Sequence, residues 1–148
     1  MRIPVVLLGA VAAIGLAAPA HAGPPAPAVV VKMLNKGSTG VMVFEPNIVR
    51  IQPGQSVTFT PVNPGHDAES IPGMVPAGAQ PFKGAISKPI TVTFTKPGVY
   101  GYKCTPHLAM GMVGVVVVGA PTNLAQAKAV ALPGKAKPVM AGLLARVK

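Results

Sequence analysis

The stretch Cys104-Thr-Pro-His107-Leu-Ala-Met110-Gly-Met112 brings a thiol, an imidazole and two thioethers onto one short piece of chain. It follows Val-Tyr-Gly-Tyr-Lys and precedes Val-Gly-Val-Val-Val-Val, two β-prone runs, so it reads as a loop between strands. One more imidazole would complete a trigonal His₂Cys set with a weak axial thioether, the donor combination that suits copper and electron transfer. The chain has three histidines. His21 belongs to a leader described below, which leaves His66, in Pro64-Gly65-His66-Asp67, as the missing donor. Met110 and Met112 are both in reach of the axial position. Met112 stands at the threshold of the next strand, where the backbone is held; Met110 lies mid-loop beside Ala109 and could form apolar surface. The spacing favours Met112 without excluding Met110.

Other chemistries fit these residues less well. A thiol hydrolase built on Cys104 and His107 would need a base held by an orienting group, and metal ligation would compete for both side chains. Loss of His21 leaves too few histidines for a second, His-rich copper centre, so no enzyme activity is expected. A buried, inert Cys104 is the blander reading. It sits poorly with soft donors at usable spacing on either side. A copper-trafficking module is the stronger rival, because Met and His also suit copper delivery. Such a module needs an open, exchangeable site, whereas the loop here looks closed by four donors.

The elements that must position these donors follow from patterning. Residues 1–22 read as an export signal: Met1-Arg2 is the positive start, Val5 to Ala18 is apolar, and Ala20-His21-Ala22 is an A-x-A cleavage site. About 126 residues then remain, one domain's worth. The apolar run is too short for a convincing membrane span. A soluble chain exported to the periplasm is expected, and with one cysteine it has no intrachain disulfide. Residues 23–28 form a Pro-rich extended leader. Strands are expected at 29–34, 41–44, 48–51, 56–60, 90–95, 99–104 and 113–118, each bounded by turn residues such as Pro53-Gly54 and Lys96-Pro97-Gly98. Seven or so short strands over 29–120 predict an all-β, antiparallel Greek-key sandwich. The excursion over 61–89 is long for a compact domain, and it carries His66 near its start. Residues 121–148 change character. Thr122 is the expected N-cap of a helix over 123–132, and Pro138 to Val147 offers a second with Val139, Leu143 and Leu144 near one face. Both helices are expected to pack on the sandwich. Contact of this basic tail with a membrane surface is the weaker alternative.

The charge balance constrains partners. Thirteen Lys and Arg oppose three Asp and Glu, a formal net charge of +10 that falls by one with Arg2. That balance favours an acidic partner and salt-sensitive association. Scattered lysines, two Tyr, four Phe and no Trp argue against a nucleic-acid stacking platform.

Met33-Leu-Asn35-Lys-Gly37, Met42-Val-Phe-Glu-Pro46, Pro53-Gly54, Gly65-His66, Pro97-Gly-Val-Tyr100 and Cys104 through Val113 resemble the pseudoazurin family. These are small periplasmic blue copper proteins of the cupredoxin fold with two C-terminal helices. The resemblance runs from about Val29 to the chain end. It implies one type 1 copper held by His66, Cys104, His107 and Met112, and so selects Met112 over Met110. It further implies that Asn35 helps hold the His66 loop and that the Met42 sulfur lies against His107. Pro106 removes a backbone N–H near the thiolate. His107 becomes the electron port, with Pro106, Leu108, Ala109 and Met110 as an apolar docking patch ringed by Lys36, Lys83, Lys88 and Lys103. The implied partners are a copper nitrite reductase as acceptor, in denitrification, and a c-type cytochrome as donor. A monomer is expected, without stable membrane insertion. Two positions depart from the family's pattern: the residue after the first histidine, commonly Asn, is Asp67, and the residue after His107, commonly aromatic, is Leu108.

Overall fold

A computed structural model describes residues 26–148; the expected export signal and part of the expected leader lie outside the described residues. Eight strands form two four-stranded sheets. In chain order they are β1 (Val29–Gly37), β2 (Gly40–Glu45), β3 (Ile48–Ile51), β4 (Gln55–Pro61), β5 (Glu69–Ser70), β6 (Ile90–Phe94), β7 (Gly98–Lys103) and β8 (Val113–Val118). One sheet runs β2-β1-β4-β6 and the other β3-β8-β7-β5. The chain changes sheets between β2 and β3. As a result β4 returns parallel to β1, and β3 runs parallel to β8. The sandwich is therefore mixed, where the sequence suggested a purely antiparallel one.

Period-two patterning explains the two cores. Val31, Met33, Val57, Phe59 and Phe94 from one sheet meet Val49, Ile51, Tyr100, Tyr102, Val116 and Val118 from the other. Edge-on aromatic pairs lock this layer, with Tyr102 lying 4.8 Å from Phe44 and 4.9 Å from Phe59 by ring centroid. Each such pair adds about 0.5–1.5 kcal/mol beyond its buried area. All six aromatic side chains lie in or against this core, which leaves none for a stacking surface.

Every residue of β8 is buried. Val113, Val115 and Val117 turn away from the sandwich into a second cluster with Ala127, Ala136, Met140, Leu143 and Leu144. That covering explains why the strand reads as a continuous apolar run rather than an alternating one. It is supplied by α1 (Leu124–Ala129) and α2 (Ala136–Ala145).

Three details differ from expectation. Asn123 rather than Thr122 occupies the N-cap position of α1, without a side-chain cap bond. Its amide is used elsewhere: Oδ1 accepts from the Val99 N–H at 2.6 Å and Nδ2 donates to the Val99 carbonyl at 2.9 Å. A tertiary demand outcompetes the cap. Both helices are displaced from their expected bounds, and Val139 faces outward while Ala136 and Met140 take its place in the core. Finally, β5 arises inside the long excursion, pairing Glu69 with Lys103 and Ser70 with Tyr102. Two residues are too few to show a period, but this pairing draws the His66 segment beside the end of β7. No helix among the described residues is long and apolar enough to cross a membrane.

Candidate metal centre

His66 follows β4 on a turn tied to the segment around Ser87. Gly65, at φ +90°, donates its N–H to Ser87 Oγ at 2.8 Å, and the Ser87 N–H returns to the His66 carbonyl at 2.8 Å. The ring is fully buried. Its Nε2 lies 2.8 Å from Asn35 Oδ1 on β1. Since that oxygen can only accept, the contact places the ring proton on Nε2 and leaves the Nδ1 lone pair free.

The second segment is a closed loop. The Cys104 N–H donates to the Met112 carbonyl at 3.0 Å, and the His107 N–H reaches the Cys104 carbonyl at 3.2 Å. A 3₁₀ turn over Leu108–Met110 ends at Gly111, whose φ of +95° suits glycine. The Met112 N–H then closes the loop onto the His107 carbonyl at 3.2 Å. The C-terminal extension braces this loop from outside, because the Lys135 N–H donates to the Ala109 carbonyl at 3.0 Å.

These two segments bring the donors together. Cys104 Sγ stands 3.6 Å from His66 Nδ1 and 3.3 Å from His107 Nδ1, and the three donor atoms all lie within 4.8 Å of one another. Donor bonds of about 2.0–2.3 Å in a trigonal set separate neighbouring donors by about 3.5 Å. One ion therefore fits between the three as they stand, and a thiolate with two imidazoles is a donor set that suits copper. Cys104 and His66 are sealed from solvent; His107 is half-buried and reaches the surface. Met112 is fully buried in the same cluster as Cys104, whereas Met110 is 47% exposed. Met42 packs against that cluster with a positive φ of 51°, and Pro106 is exposed.

Electrostatics favour a neutral His66 and a reluctant Cys104 thiol. Burial pulls His66 below its ordinary pKa, His107 adds to the effect, and Asp67 opposes it. Burial pushes the Cys104 thiol up to about 11, while N–H donors from Asp67 and His107 partly counter it.

Asp67 keeps the two ligand loops joined although it departs from the family's usual Asn. Its Oδ1 accepts the Thr105 N–H at 2.6 Å and so ties the His66 segment to the residue after Cys104. A carboxylate oxygen serves here as well as an amide oxygen would. Glu69 Oε2 accepts from Thr105 Oγ1 at 2.9 Å and pairs with Lys83 at 3.8 Å. Among the expected ring of lysines, Lys36, Lys83 and Lys88 are exposed and Lys103 is half-buried. Ser87 and Glu69 carried no signal in the sequence; both act through segments brought together only by folding.

Residues 31–119 match the family model for copper-binding proteins of the plastocyanin/azurin family. The chain is 48% identical over 139 residues to a pseudoazurin from Paracoccus pantotrophus, covering 93% of both chains. Among solved structures, native pseudoazurin from Hyphomicrobium denitrificans superposes with a TM-score of 0.79 at 41% identity, over 82% of this chain and 99% of that one. Pseudoazurin from Methylobacterium extorquens AM1 gives 0.79 at 44% identity, over 82% of this chain and all of the other.

Proposed function

The chain belongs to the pseudoazurins, within the plastocyanin/azurin family of copper-binding proteins, and from that premise we propose how its residues carry electrons and for which partners. It is a blue copper electron-transfer protein. Copper, when bound, supplies the one-electron Cu(I)/Cu(II) couple. His66, Cys104 and His107 would hold it as the strong donors, with Met112 as the weak fourth. The observation that carries this reading is the convergence of three donor atoms within 4.8 Å, two sealed and one at the surface.

Each residue's task follows from its setting. Cys104 is anchored just past the end of β7 by the bond from its N–H to the Met112 carbonyl, which holds the backbone that carries the sulfur. Asn35 fixes the His66 ring and its tautomer. A donor set on two loops tied to strand ends, with only the His107 edge open to water, resists rearrangement, which keeps the cost of each electron transfer small. His107 is the only strong donor with solvent access, so its ring is the path of entry and exit. Pro106, Ala109 and Met110, all exposed, with Leu108 form the docking patch around it. Lysines including Lys36, Lys88 and Lys103 steer acidic partners to that patch. We assign the protein to the periplasm, on its Ala20-His21-Ala22 leader, with a copper nitrite reductase as electron acceptor and a c-type cytochrome as donor.

The copper-loaded mature chain should show an intense visible thiolate-to-copper absorption, and Cys104→Ser should abolish it. Retention of that colour in the variant would remove Cys104 from the site. Replacing Met112 should move the potential and spectrum far more than replacing Met110, and the reverse result would reassign the axial donor. Reversible reduction without copper loss identifies a carrier; ready transfer of Cu(I) to an acceptor would identify a trafficking protein instead.

A further inference from the structure

The two C-terminal helices cover β8, yet they do not close completely on each other. Between them runs a groove of about 270 Å³, lined by Met140 and Leu144 of α2 and by Val130 and Leu132 of the connecting segment. Met140 and Leu144 are buried at its floor, and Val130 and Leu132 are half-buried along it. Lys128 of α1 and Lys137 of α2 line the same groove, one from each helix, and both are exposed. An apolar trough with a few charged groups beside it has the make-up of a small-molecule site.

The charge along this groove has no internal counterpart. Residues 119–148 carry Lys128, Lys135, Lys137, Arg146 and Lys148 and no acidic side chain. The chain's three acids, Glu45, Asp67 and Glu69, all precede this extension. The one ion pair among the described residues joins Glu69 to Lys83, so neither groove lysine is neutralised by a side chain. Lysine stems lie along apolar surface while their ammonium heads stay in water. Such a pair offers both alkyl contact and positive charge to whatever enters.

We propose that this groove binds an aliphatic monocarboxylate, its chain laid over Met140 and Leu144 and its carboxylate paired with the Lys128 and Lys137 ammonium groups. Size and shape select this occupant among anionic amphiphiles. The volume falls just below the range of about 300–1,000 Å³ usual for drug-sized ligands, which suits one short chain and not the two chains of a phospholipid. A bilayer is met by apolar side chains that project from a helix face. Here Val139 is the only large apolar side chain of the extension that is exposed, at 38%, and it lines a different cleft beside Met110. The apolar surface between the helices is recessed, open to a single chain and closed to a membrane surface.

The probe is sodium octanoate, titrated into the copper-loaded, reduced protein with its methionine methyl groups isotope-labelled for NMR. The expected result is a saturable shift of the Met140 methyl resonance with Met110 unmoved. Octan-1-ol, which has the chain without the charge, should bind several-fold more weakly, and acetate, which has the charge without the chain, should leave Met140 unmoved. The double variant Lys128→Gln, Lys137→Gln should also bind octanoate several-fold more weakly. Ala141→Leu, at an exposed groove-lining position where leucine is as good a helix former, should block binding. Absence of a saturable Met140 shift overturns the proposal. So does equal binding of octanoate and octan-1-ol, or octanoate binding unchanged by loss of both lysines. Sedimentation with phosphatidylglycerol vesicles, together with an unmoved Met140 in octanoate, would assign these lysines to a membrane surface and overturn it as well. Should Ala141→Leu fail to fold, the lysine variant decides.

Discussion

Asn35 Oδ1 lies 2.8 Å from His66 Nε2, so a strand at the sheet's interior dictates the tautomer of a buried imidazole on a loop of quite different sequence position. The Asn35 N–H in turn donates to Asn63 Oδ1 at 2.9 Å, which ties β1 to the segment that leads into His66. Partners of this kind orient metal-bound histidines and commonly alter affinity by about 10–100-fold when removed. Asn35→Leu should therefore weaken copper binding by about that factor, measured by competition with a chelator. An unchanged affinity would show that the cavity alone orients the ring.

The thiol and the imidazole beside it predict how copper uptake depends on pH. With its pKa pushed up to about 11, Cys104 holds its proton throughout the neutral range in the metal-free protein. His66, pulled below its ordinary value, is already neutral there. Binding must therefore expel a proton from sulfur, and apparent affinity should rise about tenfold for each pH unit between roughly 7 and 9. A pH-stat titration should record about one proton released per copper bound near pH 7.5. Zero release would mean that the thiolate already exists before the metal arrives.

Much of this centre was legible in the sequence because its chemistry is concentrated in one loop. Cys104, His107 and the two methionines are neighbours in sequence, and removal of His21 left a single histidine to join them. The strands flanking the loop were equally clear, since their periods are set by burial between two sheets. Glu69 and Ser87 were not legible as supports. Their roles depend on a two-residue strand and on loop-to-loop bonds, neither of which leaves a periodic trace. The N-cap at Thr122 and the inward placing of Val139 on α2 failed for a related reason, while Leu143 and Leu144 face the core as expected: the amide of Asn123 is claimed by Val99, and the helix turns its small Ala136 inward. Local preference yields there to packing that the local sequence does not contain.

Tyr102 stands opposite Gly114 in the β7–β8 ladder, and its hydroxyl is buried without a hydrogen-bond partner. Burial raises its pKa above the ordinary tyrosine value of about 10. The folded state therefore keeps the phenolic proton where the unfolded chain loses it. Stability is unaffected below that value and falls as pH rises past it. Tyr102→Phe should leave stability at neutral pH unchanged, or raise it by about 1 kcal/mol, and should soften the alkaline loss. Gly114→Ala should do the opposite, because a Cβ there would run into Tyr102 Cζ and its hydroxyl. Overpacking of this kind costs about 1–3 kcal/mol, read from denaturant midpoints. Tyr102→Phe should not rescue it, since Cζ remains.

The C-terminal extension should control the ligand loop through one backbone contact. Gly134 has a φ of +51°, and a Cβ added there would lie 2.7 Å from the Ala109 carbonyl oxygen. That same oxygen accepts the Lys135 N–H at 3.0 Å, so the approach of the two backbones is what the glycine permits. Gly134→Ala must either break this bond or push residues 108–110 toward His107 and Met112. The expected result is lower stability together with an altered copper spectrum. Gly142→Ala makes the matched comparison: it lies inside α2 with open space around its Cβ. Relief of backbone entropy should stabilise that variant by about 0.5–1 kcal/mol and leave the spectrum untouched. If both variants kept the wild-type spectrum, the extension would cover the sheet without bracing the metal loop. A spectral change confined to Gly134→Ala would show that a contact outside the donor set helps hold it.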